Sequence, residues 1–220
     1  MADKEILIFV EGPSDKVFLE VYLYFLEDLP IKNFKVRSTN GKDNLSSKLL
    51  LETEKYAKTL IIFDADKNYE SNKKEILSKT QQKITEEQIF LFPNNQDDGD
   101  LEALLLEIAK HDEFLKCFES YLECIKSKEH HEPIKNIRKN MLYAYLEVFG
   151  LEKFFQYRWD TNNKKNKENI IVDDEGKIKE EHKEEYEKLK EVIDFNSKSL
   201  IPLKNFLGQF AENKQKTNLF

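Results

Sequence analysis

The chain has 220 residues, of which 40% are apolar and 12% aromatic, which is enough for one sizeable domain or two small ones. Charged residues make up 35% of the chain and the formal net charge is -7, so a general basic surface that binds nucleic acid indiscriminately is excluded. The opening sequence MADKEILIFVEG has only a short apolar run, and no later run approaches the length of a membrane span. We therefore expect a cytoplasmic protein with no membrane association, in which any binding of nucleic acid is local.

The first half of the chain alternates between short apolar runs and stretches of helical periodicity, which predicts four strand–helix units. The predicted strands are EILIFV, NFKVRST, LIIFDAD and IFLFP, and the predicted helices lie at 14–26, at 44–56, within 70–83 and at 100–109. Units of this kind build a mostly parallel sheet of about four strands with helices on both faces. We therefore predict a Rossmann-like α/β core over residues 1–110.

Residues 111–220 show helical spacing of apolar residues throughout much of their length, which predicts a mainly helical extension. Within it, residues 161–191 hold eight lysines, ten acidic residues and few apolar ones, and we interpret this segment as an exposed, charged insertion. The apolar spacing from Leu203 to Phe210 predicts a last helix that packs on the body of the protein. Cys117 and Cys124, seven residues apart in a helical pattern, are interpreted as a buried pair of small apolar residues.

Acidic side chains follow three of the four predicted strands at the point where each strand ends. Glu11 follows the first strand, Asp64 and Asp66 end the third, and the acids Asp97, Asp98, Asp100 and Glu102 follow the fourth. In an open parallel sheet, ligands bind beyond the carboxyl ends of the strands, so we expect these acids to meet at one rim. Clustered carboxylates repel one another and are the usual ligands of Mg²⁺ or Mn²⁺, which makes this rim a candidate metal site.

Each of these acids also has a plain structural explanation. Glu11 could occupy an ordinary turn, with Asp15 in the first turn of the following helix, and the DAD sequence could form a turn after a buried strand. Asp100 could be only the N-cap of the helix that begins at Leu101. Under that explanation three independent strand ends would each carry an accidental acid, and the metal site is therefore favoured.

The combination of motifs resembles the Toprim domain shared by topoisomerases, bacterial primases and OLD-type nucleases. The resemblance is carried by a strand that ends in Glu-Gly-x-x-Asp, here LIFVEGPSD, and by a later strand that ends in Asp-x-Asp, here LIIFDAD. It covers about residues 4–110. Further on, FLFPNNQDDGDLEALLLE resembles a small Toprim-like branch near the OLD-type nucleases.

The resemblance implies roles for individual residues. Glu11 would be a catalytic acid or base or a metal ligand, Asp64 and Asp66 would be catalytic residues that hold Mg²⁺ or Mn²⁺, and Glu102 would match a second-metal ligand. Asp100 is assigned to the same set of metal ligands. The implied activity is metal-dependent cleavage of phosphodiester bonds in DNA or RNA.

The alternative is a non-catalytic Toprim module that binds nucleic acid or regulates a partner protein. The acidic composition and the presence of only three arginines favour it, whereas the full set of expected acids favours the enzyme. OLD proteins usually carry an ATPase domain, and this sequence has no G-x-x-x-x-G-K-[ST] motif. If an ATPase is needed, we expect it to be a separate protein.

Two basic segments are candidates for phosphate binding. Gly41 and Lys42 precede the second predicted helix, where a backbone N–H group and an ammonium could bind an anion. Arg138 and Lys139, in the sequence NIRKN, could reach over the rim to contact phosphate. Both segments could instead be an ordinary loop and a solvated helix face.

Overall fold

The computed structural model of the protein describes residues 5–26, 34–46, 53–81, 83–129, 132, 134–151, 154, 180 and 183–210. Its strands are β1 (Ile6–Val10), β2 (Phe34–Ser38), β3 (Lys58–Asp64) and β4 (Ile89–Phe92). Its helices are α1 (Pro13–Phe25), α2 (Tyr69–Lys79), α3 (Leu101–Glu107), α4 (Asp112–Lys126), α5 (Ile137–Val148), α6 (Lys183–Val192) and α7 (Ile201–Gly208).

All four strands pair in parallel in the order β2-β1-β3-β4. Every residue of β1 and β4 is buried, as expected for parallel strands that are covered on both faces. In β2, which lies at one edge, Val36 is the buried residue. The predicted α/β fold with a parallel sheet is confirmed.

Alternate side chains of the strands enter two separate cores, because successive residues of a strand point to opposite faces. On one face, Ile8 and Phe90 pack with α1 and with helices of the second half of the chain. On the other face, Phe9 and Phe63 pack with Ile76 of α2. The carboxyl ends of β1, β3 and β4 are therefore held at one rim between two well-packed layers.

The second half of the chain is largely helical in the part that the structure describes, as predicted. The last predicted helix forms α7, and its apolar face is buried against the core. The Tyr145 hydroxyl of α5 donates to the Val192 carbonyl at 2.8 Å and accepts from the His111 N–H at 3.2 Å. These bonds tie α5 to the end of α6 and to the start of α4.

One prediction about the second half was wrong, and a second is modified by the structure. Cys117 and Cys124 are both exposed, because α4 turns a different face toward the core and buries Leu115. The end of the predicted exposed insertion forms α6, in which Tyr186 and Leu189 are buried. Helical spacing of these two apolar residues lets a strongly charged segment pack on the core. The rest of that insertion, up to residue 179, lies outside the described residues.

The predicted helix at 44–56 also lies partly outside the described residues. Its described ends include short 3₁₀ turns at Lys42–Asn44 and Thr53–Lys55. Within the described ranges, no helix combines the length and the apolar character needed to cross a membrane.

Candidate functional site

The carboxyl ends of the strands open into a cleft of about 510 Å³. One wall carries the acids that follow β3 and β4, and the other carries the loop and first turn of α5. The lining residues are Asp64, Asp66, Asp100, Glu102, Ile134, Asn136, Ile137, Arg138 and Lys139. The predicted meeting of the acids from β3 and β4 at one rim is therefore confirmed, and Arg138 and Lys139 lie opposite them.

Asp64 and Asp66 are held by the polypeptide that follows β4. Asp64 Oδ1 accepts a 2.9 Å hydrogen bond from the Leu101 N–H at the start of α3. Asp66 adopts a left-handed conformation with φ of 54°, which aspartate tolerates better than most residues, and its N–H donates to the Gly99 carbonyl at 2.6 Å. The end of β3 and the residue two positions beyond it are therefore bonded to the segment from Gly99 to the first residue of α3.

Asp100 is the N-cap of α3, and it also lines the cleft, so capping is not its only contact. Its Oδ1 accepts from the Ala103 N–H at 2.8 Å. Its Oδ2 accepts from Arg138 Nη2 at 2.7 Å, and this ion pair joins the two walls of the cleft. Both oxygens of Asp100 are thus engaged, so it is the least available of the predicted metal ligands.

Burial and the repulsion of nearby acids raise the pKa values of two acids in the cleft, Asp64 and Glu102. The pKa of Asp64 lies well above its ordinary value, first because the carboxyl is buried and then because Asp15, Glu102 and Glu11 are nearby. Burial also raises the pKa of Glu102, although the charges of Lys139 and Arg138 oppose that effect in part. A cation at this rim would relieve the repulsion.

Glu11, at the end of β1, joins the same group of charges. Burial raises the pKa of Glu11, the charge of Lys42 lowers it, and the charge of Asp66 raises it again. Its Oε2 atom is buried without a hydrogen-bond partner among the residues that the structure describes. A buried carboxylate oxygen in this condition is a suitable ligand for a cation.

Asp15 is a buried acid to which the sequence assigned no functional role. It lies in the first turn of α1, where its Oδ2 accepts a 2.6 Å hydrogen bond from the Gly12 N–H. Burial raises the pKa of Asp15 to about 7, and the charges of Glu102 and Glu11 contribute. The spacing of Gly12 and Asp15 indicates the start of a helix. The burial of Asp15 beside the other acids depends on tertiary packing.

Lys42 reaches the rim from the loop that follows β2. Its Nζ atom donates to Asp66 Oδ2, lies 3.8 Å from Glu11 Oε2 and donates to Asn72 Oδ1 at 3.3 Å. Burial disfavours the charged ammonium, yet the bond to Asp66 and the charge of Glu11 together raise the pKa of Lys42. Lys42 therefore contacts carboxylates in this structure, and its predicted role in phosphate binding stays a prediction.

Asn72 of α2 is a second residue that the sequence did not single out. Its Nδ2 group donates to the Ala65 carbonyl and, at 3.2 Å, to Asp66 Oδ2, while its Oδ1 atom accepts from Lys42. One amide thus orients both members of the Lys42–Asp66 pair. Asn72 is uncharged and belongs to no motif of acidic or basic residues, so the sequence alone does not identify it as part of the site.

Gly41 has φ of 104°, a conformation that favours glycine, and its N–H donates to the Glu11 carbonyl at 3.0 Å. This bond fixes the loop against the end of β1 and leaves the Lys42 side chain as the group that faces the acids. Phosphate binding by Gly41 stays a prediction, and so does phosphate binding by Arg138 and Lys139.

The donor atoms at the rim suit Mg²⁺ or Mn²⁺, because they are carboxylate oxygens and include the buried Glu11 Oε2. Across the described part of the chain, however, no group of three or more histidine, cysteine or acidic side chains is already arranged to hold a metal ion. Lys42 contacts two of the acids that would have to converge. Carboxylate ligands suit a metal ion chemically, but in this structure the Lys42 ammonium lies among them.

Comparisons with known proteins place the chain in a family without assigning an activity. Searches of curated proteins and of solved structures found no match. A protein family does match over residues 5–212, so the match spans the α/β core, the acidic cleft and the helical second half. The chain accordingly belongs to the family described as protein of unknown function (DUF3226).

Proposed function

We propose that this protein is a nuclease of the Toprim type that cleaves phosphodiester bonds in DNA or RNA with the help of Mg²⁺ or Mn²⁺. The observation that supports this proposal is the composition of a single cleft, in which Asp64, Asp66 and Glu102 face Arg138 and Lys139. Acids on one wall suit a metal and its phosphate, and cations on the other wall suit the neighbouring phosphates of a nucleic acid backbone.

The acids would hold the metal. Asp64 and Asp66 would be its main ligands, Glu102 would contribute from α3, and Asp100 would contribute only after release from Arg138. A divalent cation bound there would neutralise charge on the scissile phosphate and lower the pKa of a bound water. Glu11 would ligate the metal or transfer a proton.

Arg138 and Lys139 would position the nucleic acid. They lie in the first turn of α5, with Arg138 held by Asp100 and Lys139 placed 5.6 Å from the centre of the Tyr143 ring. Contacts of this kind to phosphate carry no sequence information. We therefore expect little sequence preference and a marked loss of binding as the salt concentration rises.

The second candidate is a non-catalytic module that binds nucleic acid or regulates a partner. The specific observation in its favour is that Lys42 contacts Glu11 and Asp66, so that an internal cation already neutralises part of the site. Under this proposal the acids keep their structural role and no turnover occurs. The cytoplasmic location and the separate ATPase partner stay predictions of the sequence.

Cleavage assays separate the two candidates. The pure protein is incubated with supercoiled plasmid and with structured RNA, in Mg²⁺, in Mn²⁺ and in chelator. Replacing Glu11 by Gln should leave the fold intact and lower the cleavage rate by about a hundredfold or more, the scale of a positioned acid or base. Glu123→Gln, which removes an exposed acid from α4, is the matched control. If the wild type cleaves neither substrate in any metal, alone or with a cognate ATPase, the binding module replaces the nuclease.

A further inference from the structure

The position of Lys42 points to a role that goes beyond phosphate binding. Its side chain is 14% exposed, and its ammonium contacts Asp66 and lies 3.8 Å from Glu11. These are two of the acids to which the proposed function assigns the metal. The lysine therefore lies where a bound cation would share the same oxygens.

We propose that the Lys42 ammonium is a built-in cation of this site, which a divalent metal must displace from Asp66 and Glu11 in order to bind. Lys42 would thereby set the metal affinity of the site. This inference rests on the proposed metal-dependent function, but it concerns the competition between two cations and not the cleavage step.

The charges at the rim explain why an ammonium lies there. The acids that end β3 and follow β4 line one cleft, and Glu11 Oε2 is buried without a hydrogen-bond partner among the described residues, so negative charge is concentrated at this rim. Arg138 compensates Asp100 on the opposite wall. Lys42 compensates the pair formed by Glu11 and Asp66, and in the absence of a metal it limits their repulsion.

The same contacts explain why the two cations exclude each other. Lys42 Nζ donates to Asp66 Oδ2, which is also the oxygen that receives the Asn72 amide. A divalent cation needs carboxylate oxygens at about 2.0–2.6 Å, a distance at which it would repel a neighbouring ammonium strongly. A metal bound to Asp66 Oδ2 and Glu11 Oε2 therefore requires the ammonium to move away from these two oxygens.

The local structure allows Lys42 to be the one that moves. Its ammonium is carried on a flexible four-carbon stem, and the residue lies at the start of a short 3₁₀ turn. Asn72, by contrast, is fixed by its bond to the Ala65 carbonyl and would continue to orient Asp66 after the lysine leaves. Asn72 is thus a positioning residue, and Lys42 is the mobile counter-ion.

The test measures binding of Mn²⁺ alone to the full-length protein, with free Mn²⁺ followed by electron paramagnetic resonance. Lys42→Met removes the charge and keeps most of the apolar stem. It should lower the dissociation constant for Mn²⁺ by roughly twofold to fivefold, the scale of a partly exposed ion pair. Lys42→Arg, which keeps the charge, should bind Mn²⁺ much more like the wild type than Lys42→Met does.

Lys79→Met is the matched control. Lys79 also pairs with two acids, Asp43 at 2.8 Å and Glu75 at 2.7 Å, but neither acid belongs to the cleft. Its dissociation constant for Mn²⁺ should equal that of the wild type. Lys42→Gln is a second neutral variant in case the methionine variant does not fold. The inference is overturned if the neutral Lys42 variants bind Mn²⁺ no more tightly than the wild type, or if no variant binds Mn²⁺ at all.

Cleavage is measured separately in the wild type, so that the nuclease proposal and the counter-ion proposal can be refuted independently of each other. Tighter binding in the Lys42 variants with no cleavage by the wild type supports the internal counter-ion and refutes the nuclease. Metal-dependent cleavage with unchanged binding in the variants supports the nuclease and refutes the counter-ion.

Discussion

Replacing Asp15 by Asn tests the electrostatics of the acidic cleft directly. Asp15 is 7% exposed, and its Oδ2 accepts a 2.6 Å hydrogen bond from the Gly12 N–H. Asparagine keeps a side-chain oxygen that can accept the same bond, while the charge is removed. The change therefore isolates the contribution of charge beside Glu102 and Glu11.

The sign and size of the effect follow from the pKa of Asp15. Burial, with help from Glu102 and Glu11, raises this pKa from 3.8 to about 7, so the folded protein holds the proton more strongly than the unfolded chain. The free energy of unfolding must then fall as the pH rises from about 4 to about 7. A rise of this size corresponds to at most about 4 kcal/mol. Part of that difference comes from neighbouring acids, whose repulsion also falls when Asp15 is neutral. We therefore expect the free energy of unfolding to fall by about 2–4 kcal/mol over this pH range because of Asp15.

The assay is urea denaturation, followed by circular dichroism, of wild type and Asp15→Asn between about pH 4 and pH 8. Chelator is present throughout, because a bound cation would compensate the charge. The variant should have a stability close to that of the wild type at the acid end and exceed it by about 2–4 kcal/mol at the alkaline end. Glu123→Gln should show no comparable trend. A stability difference between Asp15→Asn and wild type that stays constant over this range would refute the reasoning.

Two further predictions concern the residues that form the cleft. Mg²⁺ or Mn²⁺ should raise the melting temperature, and the Asp64→Asn, Asp66→Asn double variant should lose most of that rise; an unchanged rise would place the metal elsewhere. Gly99→Ala should lower the free energy of unfolding by about 1–3 kcal/mol in urea denaturation, because its φ is 150° and a Cβ atom would lie 2.9 Å from Pro93 Cδ. Gly150→Ala, at φ of 69° with open space around it, is the control for backbone strain alone, and an equal loss in both variants would contradict the predicted clash.

The sequence predicted the architecture well because two strong regularities determine it. Continuous apolar runs such as LIIF predict buried strands, and strand–helix alternation predicts parallel pairing, which together bring all carboxyl ends to one rim. Asp64, Asp66 and Glu102 could therefore be assigned to one site before their side chains were seen. These three acids converge because the topology brings the strand ends together. The spacing of strands and helices along the chain is enough to predict that topology.

The details of the site depend on packing, which spacing does not determine. Asp15 reads as an ordinary acid in a first helical turn, and only the fold places it in a buried cluster. Asn72 contributes an amide from α2, whose sequence gives no sign that it faces Asp66. The error over Cys117 and Cys124 has the same origin, since helical periodicity shows which residues share a face but not whether that face is covered.

The choice between an enzyme and a binding module depends on what neutralises Glu11 and Asp66. In a module, Lys42 is a sufficient partner, and the carboxylates need nothing else. Incomplete compensation argues against that outcome, because Glu11 Oε2 is buried without a hydrogen-bond partner among the described residues. In addition, burial and the neighbouring acids keep the pKa of Asp64 well above its ordinary value. One ammonium therefore does not compensate the negative charge of the carboxylates at this rim. A divalent cation would supply twice the charge and more contacts to oxygen, and for this reason we propose a metal at this rim, with Lys42 in its place when no metal is bound.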